Sequence, residues 1–352
     1  GESTAGALGA VLARLDFGVA VFFLLSGFLL FRPWVWQWGG IGPRVSTKAY
    51  AIRRAMRILP LYWLVLVVVL VSVPANRTMA PGTIALNVGL LQIYVPGSLP
   101  QALTQAWSLA TEVSFYVLLP ILAAALARTS RHGTQWSPTR ALFGLGAVAA
   151  LGTGFVALTR MPGSPIPAEG GFWLPYTLAW FALGMALAVL QVAAQQGRLQ
   201  RVTEPLTALA RYLGTCWAVA VLLFLLAATP LAVPRGFEAP VDLLGAVAKL
   251  WLYGLAATFI LLPLILEPEG SGPVRRLLQS RVARWFGDTS YGVFLWHLLI
   301  LEGVMALLGR EPFTGGFWLV LALTYLATLA VSFVTFVVLE KPMNRVARRA
   351  TA

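Results

Sequence analysis

Long apolar runs separated by short polar connections dominate this chain, and such a pattern admits few folds. Several runs exceed the ~18 residues that suffice for a helix to cross a bilayer. The composition agrees: 59% hydrophobic, 11% charged, mean hydropathy +0.79, against roughly 25% charged residues in a soluble domain. Backbone in hydrocarbon must satisfy its own hydrogen bonds, so these runs are expected as helices. The fold class is all-α, a polytopic transmembrane helical bundle. Residues 1–352 are expected to form one integral membrane domain with no soluble second domain.

Apolar runs and helix breakers delimit nine candidate spans, at 15–31, 58–75, 107–127, 141–158, 173–195, 213–233, 243–266, 286–309 and 316–339. The basic residues between them alternate. Six lie in 32–57 (Arg32, Arg44, Lys48, Arg53, Arg54, Arg57), one in 76–106, three in 128–140 and one in 159–172. Three lie in 196–212, one in 234–242, four in 267–285 and one in 310–315. The tail carries four (Lys341, Arg345, Arg348, Arg349). By the positive-inside rule the rich connections and the C-terminus are cytoplasmic, in a plasma or inner membrane. A missed or extra span would break the alternation.

Nine spans with a cytoplasmic C-terminus put Gly1 outside, yet residues 1–13 lack the basic and apolar regions of a signal peptide. A tenth helix upstream of Gly1 is therefore expected. Residues 84–96 are apolar but too short to span, and an interfacial or re-entrant segment is expected there. The net charge of +13 sits in the interhelical connections, so orientation accounts for it without nucleic acid. Cys216 is the one cysteine, so no intrachain disulfide can form. No metal-ligand cluster, Walker A loop or dinucleotide-binding glycine pattern occurs, and the glycines within spans are read as close helix contacts.

Ionisable groups inside a membrane are costly and default to a functional hypothesis. Asp16 opens the first span, where a carboxylate near the helix N-terminus favours the dipole. Glu112, in Trp107-Ser108-Leu109-Ala110-Thr111-Glu112, is either a capping-box glutamate with the N-cap near Ser108 or Leu109, or a functional group. His297, mid-span, is either a proton-transfer group or a satisfied interhelical partner. Glu302 follows it by five residues, about 140° round the helix, and shares no face with it. Lys249 is expected to snorkel to the surface, and His132 to be solvated in a basic loop. Arg54 and Arg57, at i and i+3, share a helix face and can clamp phosphates bidentately, with Arg53 assisting electrostatically.

Five segments, in order from residue 18 to 342, together resemble the membrane-bound acyltransferase-3 family of sugar and antibiotic O-acyltransferases. Phe22-Phe23-Leu24-Leu25-Ser26-Gly27-Phe28-Leu29 resembles its FFxxSGFL signature. Arg54 to Arg57, followed by Ile58, Pro60 and Tyr62, resembles its RxxR-I-x-P-x-Y segment. Trp107-Ser108-Leu109 with Glu112, Phe115-Tyr116 and Pro120 resembles WSLxxE…FY…P. Gly287, Ser290-Tyr291, Trp296 and His297 resemble GxxSYxxYLxH, and Glu340-Lys341-Pro342 resembles E-x-P.

The resemblance implies transfer of an acetyl or other short acyl group from acyl-CoA, a co-substrate rather than a bound cofactor, to a hydroxyl of a cell-envelope carbohydrate or glycosylated metabolite. Arg53, Arg54 and Arg57 would bind the donor, and Glu112 and His297 would support catalysis by orienting groups. Ser26, Gly27, Tyr62, Trp107, Ser290, Tyr291 and Glu340 would be motif positions. The family's catalytic histidine stands on a helix ahead of FFxxSGFL, where this chain has none, so this stretch alone is expected to be inactive. A secondary transporter of an anionic or lipid-linked solute is the alternative, and would require paired broken helices and symmetric halves.

Overall fold

A computed structural model describes residues 14–132, 135–229, 242–267, 272–311 and 316–351. Helices are α1 (Phe17–Trp38), α2 (Thr47–Ser72), α3 (Pro81–Val88), α4 (Ala106–Thr129), α5 (Pro138–Thr159), α6 (Leu174–Gln195), α7 (Gln200–Ala210), α8 (Leu213–Ala227), α9 (Leu243–Leu266), α10 (Pro273–Leu278), α11 (Arg281–Leu307), α12 (Phe317–Thr335) and α13 (Lys341–Arg349). A two-residue hairpin, β1 (Arg131–His132) with β2 (Gln135–Trp136), pairs Arg131 with Trp136 and His132 with Gln135. The protein is all-helical, and eight helical segments among the described residues are long and apolar enough to cross a membrane.

Eight of the nine candidate spans are these helices. The ninth, 213–233, is represented by the 15-residue α8, which is long and apolar enough to cross only when taken together with α7, from which it is bent by 94°. Residues 230–233 of that candidate lie outside the described residues. Two boundaries move in informative ways. α2 begins at Thr47 because Ser46 caps it, its hydroxyl accepting from the Ala49 N–H at 3.2 Å, so Arg53 to Arg57 lie on the helix rather than in a loop. The chain beyond 339 is also helical: a π-helical turn, Phe336–Glu340, leads into α13.

The chain divides into two compact units: residues 1–45 with 117–270, and residues 46–116 with 271–352. In the first, α6 is the central helix, packing on α1, α5 and α9, and most of its residues are buried. Glycines make the α1–α6 contact close. A methyl group on Gly27 would strike the Phe181 carbonyl, and one on Gly184 would strike the Leu24 carbonyl and the Phe28 nitrogen. The SGFL element is thus a packing device. Phe23 stacks on Phe181 at 4.7 Å.

At the other end of α1, Lys249 Nζ pairs with Asp16 at 2.5 Å, and the Tyr253 hydroxyl donates to the second Asp16 oxygen at 2.7 Å. Lys249 reaches an exposed carboxylate, and Asp16, at the N-terminus of α1 as expected, in addition ties α1 to α9.

In the second unit α11 packs against α12, closest where Gly292 meets Ser332; a methyl there would lie 2.9 Å from the Ser332 Cβ. Residues 73–105 form a knitted cap of short elements. α3 has eight residues, about 12 Å of helix, too short to cross. Asn87, fully buried, donates to the Thr83 and Ser98 carbonyls at 2.9 and 2.8 Å. Asn76 and Gln101 exchange two bonds at 3.0 Å. These side chains satisfy the backbone groups that an irregular segment leaves open.

Glycine substitutions separate packing from composition. Gly184→Ala must move backbone and is expected to destabilise the protein by about 1–3 kcal/mol. Gly154→Ala meets open space and is expected to be neutral or slightly stabilising. Thermal unfolding of both variants in detergent checks this, and equal midpoints would contradict the packing role.

Candidate functional site

The second unit gathers the polar groups that a membrane interior tolerates least. On α4, Glu112 is 3% exposed and hydrogen-bonded to the Tyr116 side chain one turn on. α4 starts at Ala106, so Glu112 stands in the second turn, beyond capping-box reach. The capping reading therefore fails. Tyr50 of α2 donates to the Tyr116 carbonyl at 3.3 Å, and the Arg54 guanidinium lies 6.0 Å from the Tyr116 ring centroid. Arg54 and Glu112 both act electrostatically on Tyr50 and Tyr116, so cation and carboxylate flank one tyrosine pair. Arg54 Nε is buried and lacks a hydrogen-bond partner among the described residues.

One turn further along α2, Arg57 is exposed and Glu340 lies near it. Glu340 is 7% exposed, with Asp288 also in its field and its Oε1 unpartnered among the described residues. Its placement follows from the sequence after it. Pro342 has no N–H to return to the Val338 carbonyl, and its ring crowds that carbonyl, so an α-helical turn is disfavoured. The chain widens into the π turn instead, the kind of irregularity found often at functional sites.

Tyr291 of α11 donates to the Ile58 carbonyl at 2.8 Å and is in the field of Glu340, Glu112, Tyr62 and Arg57. Tyr62 is fully buried and donates to the Asn87 carbonyl at 2.8 Å, fastening the cap to α2. Four of the five motif segments therefore converge in this unit: Arg54 and Arg57, Glu112, Tyr291 and Glu340, with Tyr62 pinning their outer side.

Other candidates fall differently. His297 points its Nδ1 at its own helix, 2.8 Å from the Phe294 carbonyl and 3.2 Å from that of Val293. A carbonyl only accepts, so Nδ1 carries a proton in these contacts. Gln105, just ahead of α4, donates to the Phe294 and Leu295 carbonyls at 3.2 and 3.0 Å, tying the WSLxxE segment to the His297 turn. Trp107 is half-buried in the first turn of α4. Ser290 is exposed and bonds back to the Gly287 carbonyl at 2.8 Å, a local contact. Arg53 is exposed, its Nε donating to Thr351 Oγ1 at 2.8 Å. Ser26 and Gly27 lie in the first unit, in the α1–α6 packing.

Sequence reasoning passed over Tyr50, Gln105 and Asn87. Only the aromatic ring ahead of RxxR signalled Tyr50. The other two are polar residues in short connections, a weak signal. A cavity of about 520 Å³ in the first unit, lined by Gln191, Thr203, Glu204 and Arg211, contains none of the motif residues.

The apolar helices and this buried polar cluster define a polytopic helical membrane protein with charged chemistry inside one unit. A family model described as an acyltransferase domain, the acyltransferase-3 type, matches residues 4–337, and the chain belongs to that family. Two curated relatives are similar at 24% identity. One is the peptidoglycan O-acetyltransferase OatA of Listeria monocytogenes, aligned over 93% of this chain and 51% of its own length. The other is nodulation protein 10 of Rhizobium leguminosarum, aligned over 92% of this chain and 81% of its own. The chain thus spans about half the length of the first. No solved structure gives a significant match.

Tyr62 and Trp63 provide a matched test of the cap. Both donate to consecutive carbonyls, of Asn87 and Val88, but Tyr62 is fully buried and Trp63 is 43% exposed. Tyr62→Phe removes a buried bond between α2 and the cap, although the Asn87 carbonyl keeps the Leu90 N–H at 3.1 Å, and is expected to cost roughly 0.5–1.5 kcal/mol. Trp63→Phe, whose carbonyl can be rehydrated, is expected to cost less. Detergent unfolding midpoints of the two variants decide it; equal losses would contradict the assignment.

Proposed function

We propose that the protein is a membrane O-acyltransferase that moves an acetyl or other short acyl group from acyl-CoA to a carbohydrate hydroxyl. The observation that carries this reading is the convergence of Arg54, Arg57, Glu112, Tyr291 and Glu340 in one unit of a family-matched chain. The half-buried Arg54, with its unpartnered Nε, suits a phosphate oxygen, since a guanidinium fork matches phosphate geometry in two parallel bonds. Arg57, exposed on the same face, extends the clamp. Both stand at the basic end of α2, taken here as cytoplasmic, the side on which acyl-CoA is available.

The acceptor is assigned to carbohydrate because one relative is named for O-acetylation of peptidoglycan. A cell-envelope glycan or a glycosylated metabolite would serve. In the reaction the acceptor oxygen attacks the thioester carbonyl, the C–S bond breaks, the hydroxyl proton is taken by a base, and CoA leaves as the thiol. Neither Glu112 nor His297 is assigned as that base. Glu112, fixed by Tyr116, and His297, fixed by its own carbonyls, are assigned to orienting groups near the reacting atoms. Holding reactants in a near-attack geometry is a large part of such catalysis.

Donor binding is the direct test. The doubly substituted Arg54→Ala/Arg57→Ala protein is expected to bind CoA at least tenfold more weakly than wild type by titration calorimetry in detergent, since each charge-assisted bond is worth roughly 1.5–3 kcal/mol. Unchanged affinity would remove the donor-site assignment. The acyl-transfer reading is checked separately, by following label from [14C]acetyl-CoA into a membrane glycan fraction.

A further inference from the structure

The motif arginines do not stand as free cations. The Arg54 guanidinium lies 6.0 Å from the ring of Tyr116, which is hydrogen-bonded to buried Glu112, and Arg57 acts electrostatically on buried Glu340. CoA's diphosphate and 3′-phosphate together carry about four negative charges, more than two arginines can offset. The unmatched charge lies alongside, on α13. Lys341, Arg345, Arg348 and Arg349 are all exposed. At about 100° per residue they share one face roughly 100° wide. Ala347, 2% exposed, and half-buried Met343 lie on the other side.

α13 is held against the arginine-bearing turns of α2. Arg53 Nε donates to Thr351 Oγ1 at 2.8 Å and its Nη2 to the Thr351 carbonyl at 3.4 Å, while the Thr351 hydroxyl donates to the Ala347 carbonyl at 2.8 Å. The other end of α13 follows directly from Glu340, next to Arg57. The basic helix is therefore anchored at both ends beside the RxxR turn.

We propose that α13 is the second half of the donor-nucleotide site, with Arg345, Arg348 and Arg349 taking the 3′-phosphate of CoA while Arg54 and Arg57 take the diphosphate. This rests on the donor reading above and adds a determinant of specificity to it. The two phosphate groups sit on either side of a ribose, a separation of the order of one to two helical turns. Arginine suits a terminal phosphate, which offers three acceptor oxygens. A lipid-binding amphipathic helix would instead turn its apolar side to hydrocarbon; here Ala347 is buried and Met343 half-buried, Val346 alone of the apolar residues is exposed, and the basic face is left open. Arg53 is a positioning residue, holding α13 through Thr351.

The test compares CoA with dephospho-CoA, using the full chain in nanodiscs of uncharged phosphatidylcholine. Wild type is expected to bind CoA roughly tenfold or more tightly than dephospho-CoA. The triple variant Arg345→Gln/Arg348→Gln/Arg349→Gln is expected to lose that preference while binding dephospho-CoA as wild type does. The corresponding triple lysine variant is expected to retain most of it, which guards against a folding artefact. Equal loss for both ligands, no change for either, or no wild-type preference overturns the proposal. So does an effect confined to binding of phosphatidylglycerol vesicles, which would assign α13 to lipid. If wild type binds neither form of CoA, the donor reading itself fails and carries this inference with it.

Discussion

Glu112 and Glu340 are both buried, on different elements, and each is set against an arginine of α2. A carboxylate removed from water is tolerated only with a compensating charge or hydrogen bonds, and α2 supplies the cations for both. Much of the second unit is arranged to make those pairings possible. α2 starts early enough, at Ser46, to carry Arg54 and Arg57 on helix. Tyr116 takes the Glu112 hydrogen bond and has the Arg54 guanidinium 6.0 Å from its ring centroid. The π turn before Pro342 brings Glu340 in on the other side. Removal of one partner would leave an uncompensated charge, so the cluster is mutually dependent as well as chemically useful.

The five sequence motifs divide by physical role. FFxxSGFL is a contact between helices, in which Gly27 and Gly184 let α1 and α6 approach until side chains meet backbone. The other four are polar and converge. Within each of those, some residues join the buried polar cluster and others hold the surrounding structure: Tyr62 fastens the cap, and Ser290 closes a turn on itself. A motif position is therefore not by itself a site position.

The span pattern was legible because hydrocarbon permits so little else: apolar length located eight helices long enough to cross and marked 84–96 as too short to do so. Helix ends were less legible. The start of α2 depends on one serine cap within a polar stretch, and α13 is a basic segment with no long apolar run. Individual polar residues were the hardest. Glu112 sits four residues after a serine, a spacing close to a capping box, and only the true start of α4 separates the two cases. Lys249 near a membrane surface has two ways to be satisfied, and its choice of Asp16 depends on a helix more than 200 residues away in sequence. Gln105 and Asn87 bond to backbone carbonyls, which no side-chain pattern reveals.

The sequence alone determined that the chain is a helical membrane protein, which connections carry the positive charge, and which motif residues belong to an acyltransferase-3 pattern. The first two follow from composition and periodicity, and the third from the resemblance of five short segments to the family's motifs; all are local properties. Only the tertiary structure decided that Arg54 and Glu112 meet at Tyr116, that Glu340 lies in the field of Arg57, that His297 spends its Nδ1 on its own helix, and that the basic tail lies beside the arginines of α2. Pairing of charges is set by three-dimensional distance in a medium of low dielectric, and residues far apart in sequence carry no local mark of the partner they will meet.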